Sequence, residues 1–333
     1  MAELMLEPRI AAIANRNKIT ADDVLYLRRN VYQDGMSSRM EVENLFALDG
    51  AAQDKASEWA VFLIEAACDY VVHNEKPEGY LSEANASWLQ GLITRDGRVE
   101  RHPELELMVR VMEAARSVPA AFNDFVLAQV YTAIVKPDGV LFVADSNGQM
   151  RVSSEAAAMV RRVLHAAGGQ GNIAITRTEA ELLFNINDQA GSASGNPEWN
   201  DLFVKAIANF MMAASGYQAQ SREKALAQDE FLNSAGTSGL GGFFSRMVEG
   251  ALSGRNDWMK DSSIEDRFAE RNAEFDRENS IAQNVTGEEV RWLSERISND
   301  GKMGANERAL VEFIKADAPA LHPDFQKLID KVA

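Results

Sequence analysis

The feature that most constrains this chain is a repeated spacing. Thr20, Ser82 and Thr286 each stand 14 residues before an Asp-Gly pair, at Asp34-Gly35, Asp96-Gly97 and Asp300-Gly301. The stretches between them read TADDVLYLRRNVYQDG, SEANASWLQGLITRDG and TGEEVRWLSERISNDG. A related stretch from Ser153, SSEAAAMVRRVLHAAGG, replaces the Asp-Gly by the longer Gly168-Gly169-Gln170-Gly171-Asn172. Ser and Thr hydroxyls accept the unpaired N–H groups of a helix's first turn. Asp23 and Glu289 stand three residues on, where a capping box needs its acid. Leu27, Leu89, Val160 and Leu293 share one position, and Val31, Ile93, Leu164 and Ile297 another four residues later, which makes one buried face per helix. The glycine that follows takes the positive φ that ends a helix. Helices this short and two-faced hold only by packing on one another, so the pattern predicts an all-α fold of helical hairpins.

A second level of repetition lies between these units. ENLFALDG and SEWAVFLIEAACDYVV after the first unit correspond to ELLFNIND and PEWNDLFVKAIANFMM after the third, pairing Phe46 with Phe184 and Trp59 with Trp199. The second and fourth units share a different tail, ELELMVRVMEAA and ERALVEFIKADA. The order is therefore A–B–A′–B′, a duplication. It predicts an N-terminal half over 1–150, with units at 19–78 and 81–136, and a C-terminal half over 151–333, with units at 152–216 and 285–333. The larger offset between B and B′ than between A and A′ implies an insertion over 217–284. At the centre, VLFVADSNGQMRV (140–152) places β-branched and aromatic residues about Asp145-Ser146-Asn147-Gly148, a small β-hairpin between the halves. The rest reads as helix, with Trp59 and Trp199 as equivalent core anchors.

Charge narrows the function classes. Lys and Arg number 34 against 50 Asp and Glu, a net charge of −16, whereas nucleic-acid binding rests on a basic face. The single cysteine, Cys68, forms no internal disulfide and fits a reducing compartment. No run approaches the roughly 18 apolar residues of a membrane span. A cytoplasmic protein without nucleic-acid partners is expected.

Catalytic motifs are missing: there is no Walker loop, dinucleotide fingerprint, G-x-S-x-G elbow or H-E-x-x-H pair. His73, His102, His165 and His322 fall in four different units, and His165 continues an apolar face as a core or cap residue. Cys68 reads as a small core residue. An enzyme would need a pocket between the halves, and nothing nominates its nucleophile or base. The carboxylates leave one alternative, because the units resemble EF-hands. With Gly35 or Gly301 at loop position 6, Asp34 and Glu41, or Asp300 and Glu307, fall at positions 5 and 12; Asp96 and Glu104 come close about Gly97. Two oxygens per loop are few for a hard dication. Each glutamate also has a structural role in the first turn of the next helix, where the helix dipole favours negative charge.

The combination Asp-Gly-x-apolar-x-x-x-Glu between short helices, in DGRVERHPE (96–104), DGKMGANE (300–307) and DGMSSRME (34–41), resembles the tellurite-resistance TerB-like family. The resemblance spans four units of about 35 residues and implies an all-helical fold, stress-related activity, membrane-linked complexes and, in some members, metal held by acidic residues. The insertion lies outside it. There, Phe243, Phe244, Met247, Val248, Ala251 and Leu252 fall on one helical face, a candidate partner-binding element beside the simpler role of packing on its own domain. With Arg246 as the nearby cation, that face suits a protein better than anionic lipid. The expectation is a non-enzymatic acidic scaffold that binds a protein partner and needs no cofactor, with a calcium sensor as the alternative.

Overall fold

A computed structural model describes residues 8–33, 35–94, 97–167, 175–190, 195–213, 287–298 and 304–317. The proposed insertion, with Phe243, Phe244, Met247, Val248 and Leu252, lies outside the described residues, as do Asp34, Asp96, Asp300 and the glycine loop after Ala167. Helices account for 72% of the described residues, so the helical expectation holds at the level of fold class. In chain order they are α1 (Pro8–Asn15), α2 (Ala21–Tyr26), α3 (Arg39–Ala51), α4 (Ser57–Asp69), α5 (Glu83–Ile93), α6 (His102–Ala114), α7 (Ala120–Val135), α8 (Ser154–Ala167), α9 (Arg177–Ala190), α10 (Pro197–Ala213), α11 (Gly287–Ser298) and α12 (Ala305–Asp317). Both α2 and α4 run on into a single wide π turn, over Leu27–Val31 and Tyr70–Asn74.

The local signals account for the helix starts. The Thr20 hydroxyl accepts from Asp23 N at 3.2 Å while Asp23 Oδ2 accepts from Thr20 N at 2.9 Å, a complete capping box. Ser82 and Ser153 accept from Asn85 N and Ala156 N at 3.2 and 3.1 Å. Gly35 and Gly97 take φ of +81° and +77°, as turns that reverse a helix require. Leu27, Leu89, Val160 and Leu293 are all buried. Val31 is only half-buried, unlike Ile93, Leu164 and Ile297. The π turn inserts one residue into the register of α2 and rotates Val31 off the buried face.

Two findings depart from the sequence reading. Segments 19–78 and 81–136 each contain three helices, not a hairpin alone. The approach to the first helix also pairs in parallel with the approach to the third. In the first segment β1 (Lys18–Ile19) pairs with β2 (Asp54–Lys55), and Ala56 N donates to Ile19 O at 2.9 Å. In the second, Tyr80 bridges Ser117 and Leu81 N donates to Ser117 O at 3.1 Å. Two-residue pairings leave no alternation to read, so they are invisible to periodicity. The expected hairpin is present: β3 (Val143–Ala144) and β4 (Met150–Arg151) pair antiparallel, closed by Asp145 Oδ1 accepting from Asn147 N and Gln149 N at 2.8 and 3.0 Å.

The described residues form two compact units, one drawn from 1–142 and 159–167, the other from 143–158 and 168–333. In the first, α4 packs most extensively on α6, with α2 and α3 also against α4. Its core holds Trp59, Phe122, Leu27, Leu45 and Leu89. In the second, α10 packs most extensively on α12 and also on α9, about Trp199, Phe184 and Phe203. Trp59 and Trp199 are both buried, at 1% and 0% exposure. Cys68 is buried, whereas His165 is exposed in the last turn of α8. The buried stripe of α8 runs through Val160, Val163 and Leu164, and His165 falls beside it.

Candidate functional site

The glutamates singled out by the Asp-Gly spacing serve as caps. Glu41 is the third residue of α3, and its Oε2 accepts from Ser37 N at 2.6 Å and Ser38 N at 3.1 Å. Glu104 Oε2 accepts from Arg101 N at 3.1 Å in front of α6. Glu307 Oε2 accepts from Gly304 N at 2.5 Å in front of α12. Glu179, which the spacing did not mark, does the same for α9, accepting from Thr176 N at 2.7 Å. Glu104, Glu179 and Glu307 are buried carboxylates satisfied by backbone N–H groups. A metal ion would have to compete with those bonds. Among the described residues no group of three or more His, Cys, Asp or Glu is placed to hold one.

After three of these four capping acids, Glu41, Glu104 and Glu179, the residue two places on does something different. Glu43 Oε1 accepts the indole N–H of Trp88, from α5, at 2.9 Å. Glu106 takes both Nη atoms of Arg162, from α8, at 2.7 and 2.8 Å. Glu113, seven residues on, accepts from Arg162 Nε at 2.7 Å and Nη2 at 2.9 Å. Glu181 Oε1 accepts the indole N–H of Trp292, from α11, at 2.5 Å, and Arg296 bridges Glu181 and Asp188 at 3.5 and 3.3 Å. In all three cases the second helix of one segment receives the first helix of the next. Donating to the Glu113 and Glu106 carboxylates holds the Arg162 guanidinium far above its ordinary pKa despite partial burial.

The interior carries a matching pair. Trp59 Nε1 donates to Asp49 Oδ1 at 2.7 Å, and Trp199 Nε1 donates to Asn187 Oδ1 at 3.4 Å. Asp49 and Asn187 hold the same place in ENLFALDG and ELLFNIND. Around Asp49 the hub is charged: Lys55 Nζ donates at 2.7 Å and Arg101 closes on Oδ2. Burial raises the Asp49 pKa, but Lys55, Trp59 and Arg101 together outweigh it and hold the carboxyl below its ordinary range. Around Asn187 the hub is neutral, with Asn306 Nδ2 donating at 2.8 Å. Edge-on aromatic pairs repeat too, Tyr70 on Trp88 at 6.1 Å and Phe210 on Trp292 at 4.8 Å.

The first unit also has an open groove of about 560 Å³ between α2, α4 and α6. Its apolar lining includes Met36 and Phe62; Arg28, Glu65, Asp69 and Arg110 supply charge, with Arg28 Nη2 on Glu65 Oε2 at 2.7 Å. Burial pushes the Cys68 thiol up to about 11, so it is protonated near neutrality and a poor nucleophile.

No family model, curated protein or solved structure matched the chain.

Among the described residues no helix is long and apolar enough to cross a membrane. Sequence reasoning found the capping acids Glu41, Glu104 and Glu307 and missed Glu179 and the receiving acids. Their signal was present as Glu-x-Glu at 41–43, 104–106 and 179–181, which the fourth segment breaks with Glu307-Arg308-Ala309.

Proposed function

We propose that the chain is a non-enzymatic, acidic helical scaffold of four related segments, A–B–A′–B′, that holds a protein partner. The observation that carries this is one docking chemistry used three times, an indole or guanidinium donor seated on the second acid of Glu-x-Glu. Support for the duplication comes from side-chain pairs recurring at corresponding positions: Asp49–Trp59 with Asn187–Trp199, Glu43–Trp88 with Glu181–Trp292, and Tyr70–Trp88 with Phe210–Trp292. Residues committed to caps, cores and junctions make a framework, and the groove beside Phe62 supplies mixed apolar and charged surface of the kind polypeptides use. The test is affinity capture by full-length protein, wild type against a Glu65→Arg, Asp69→Arg variant, with identification of what each retains. A partner retained by the wild type and lost by the variant is expected. Identical retained sets, or turnover of a small molecule by the wild type, would overturn the reading.

A further inference from the structure

We infer that the groove of the first unit is linked to the seating of α8 through one shared carboxylate, Glu113, so that a basic polypeptide segment bound in the groove loosens α8. The inference rests on the groove being the partner site proposed above. Two acids of α6 grip Arg162 of α8. Glu106 accepts from Nη1 and Nη2 at 2.7 and 2.8 Å, and Glu113 from Nε and Nη2 at 2.7 and 2.9 Å. Glu106, Arg110 and Glu113 recur every three or four residues and so share one face of α6. Arg110 and Glu113 also belong to the groove wall, whereas Glu106 does not. Glu113 Oε2, which accepts from Arg162 Nη2, lies 3.7 Å from Arg110 Nη1. One carboxylate thus serves α8 on one side and the groove on the other.

The walls of the groove indicate what it takes. They carry three carboxylates, Glu65, Asp69 and Glu113, against two guanidiniums, Arg28 and Arg110. Arg28 is set on Glu65 and over the ring of Phe62, and Arg110 lies toward Glu113, so both cations stand beside acids of the wall itself. The remaining charge is negative and falls on Asp69, which is exposed. Phe62 and Met36, both buried, give the apolar floor. A segment that sets lysine or arginine beside an apolar residue complements this surface. The wide turns ending α2 and α4 contribute Arg28 and His73 to the rim, and such turns gather at functional sites. A cation brought to Asp69 and Glu113 competes for Oε2 and repels the Arg162 guanidinium. Arg162 and Glu113 are 32% and 25% exposed at their side chains, so the pair is weak enough to yield. Glu106 keeps its hold, so α8 loosens without detaching. The linkage is reciprocal: whatever the partner costs the Arg162–Glu113 pair, the pair costs the partner's affinity.

The probe is a fluorescein-labelled peptide of alternating leucine and arginine, titrated with the full-length protein by anisotropy, while amide exchange of α8 is followed with and without saturating peptide. Saturation should quicken exchange in α8 about fivefold, and Arg162→Gln should bind the peptide about fivefold more tightly, the size expected of a partly exposed ion pair. Arg98→Gln removes the same charge at a surface pair with Asp138 and should leave affinity within about twofold of wild type. In Glu113→Gln the peptide should still bind through Asp69, with α8 no longer responding. Suppose the peptide binds and is lost from the Glu65→Arg, Asp69→Arg variant. If α8 is then unmoved by saturation, or Arg162→Gln is no tighter than Arg98→Gln, the linkage is overturned and the groove remains the partner site. If the peptide fails to bind, binds that variant as well as wild type, or binds more weakly than a twin with glutamates for arginines, the groove as the site of a basic partner is overturned, and the linkage with it.

Discussion

Replacing Asp49 by Asn tests the charged hub directly, because the second unit already carries Asn187 at the corresponding place. The amide preserves shape and can still accept the indole N–H of Trp59 at 2.7 Å. What it removes is the negative charge between Lys55 and Arg101. Stripping one partner from a fully buried pair costs about 3–5 kcal/mol. Here Asp49 is 6% exposed at its side chain, but Lys55 and Arg101 are 26% and 41% exposed and can turn to water, which roughly halves the cost. Asp49→Asn should therefore lower the opening free energy of α3 and α4 by about 2 kcal/mol at pH 7, roughly a thirtyfold rise in amide exchange there. Peptides from α9 and α10 serve as the internal control. The pH dependence has a definite sign. A carboxyl with a depressed folded pKa contributes stability above the ordinary Asp value of about 4 and loses it as pH falls through the folded value. The gap between wild type and variant should hold from pH 7 to about 5 and close as the solution is made more acidic. A variant within about 0.3 kcal/mol of wild type at pH 7, or a gap unchanged by acid, would refute the charged-hub account.

Other expectations follow from the same contacts. Trp199→Ala should destabilise the second unit by about 3–5 kcal/mol in urea unfolding, since the indole is wholly buried; a value near zero would remove it as a core anchor. Arg162→Gln combined with Glu113→Gln in a double-mutant cycle should give a coupling of about 1 kcal/mol, because the side chains are 32% and 25% exposed. Glu41→Gln should lower the melting temperature by weakening the α3 cap, equally with and without millimolar calcium, and calcium should leave the wild-type midpoint in place. A calcium-dependent rise that vanishes in Glu41→Gln would restore the sensor alternative. Cys68 should resist iodoacetamide at pH 8 in the folded protein and react only on unfolding, since burial holds the thiol up near 11.

Much of the fold was legible because its signals are local. A hydroxyl at Thr20, an acid at Asp23 and a glycine at Gly35 each act within one helical turn, so neighbouring letters reveal them. The hairpin around Asp145 was equally visible, its turn closed by one side chain. The wide turns ending α2 and α4 were not, because nothing in LRRNV or YVVHN differs from ordinary helix. The candidate site divided in the same way. Glu41, Glu104 and Glu307 stood out by their distance from Asp-Gly, and that distance proved to mark where the next helix begins. Glu43, Glu106 and Glu181 work across tens to a hundred residues of sequence, on Trp88, Arg162 and Trp292, and only packing decides which donor each receives.

By itself the sequence determined the helical segments, their caps and the order A–B–A′–B′ as an expectation, because 3.6-residue periodicity and capping are properties of short windows. Only packing decided that α5, α8 and α11 are each received by the segment before them, and that Asp49 sits in a charged hub where Asn187 sits in a neutral one. Those outcomes depend on which faces meet and on how far water is excluded when they do, and no window of neighbouring residues contains either quantity.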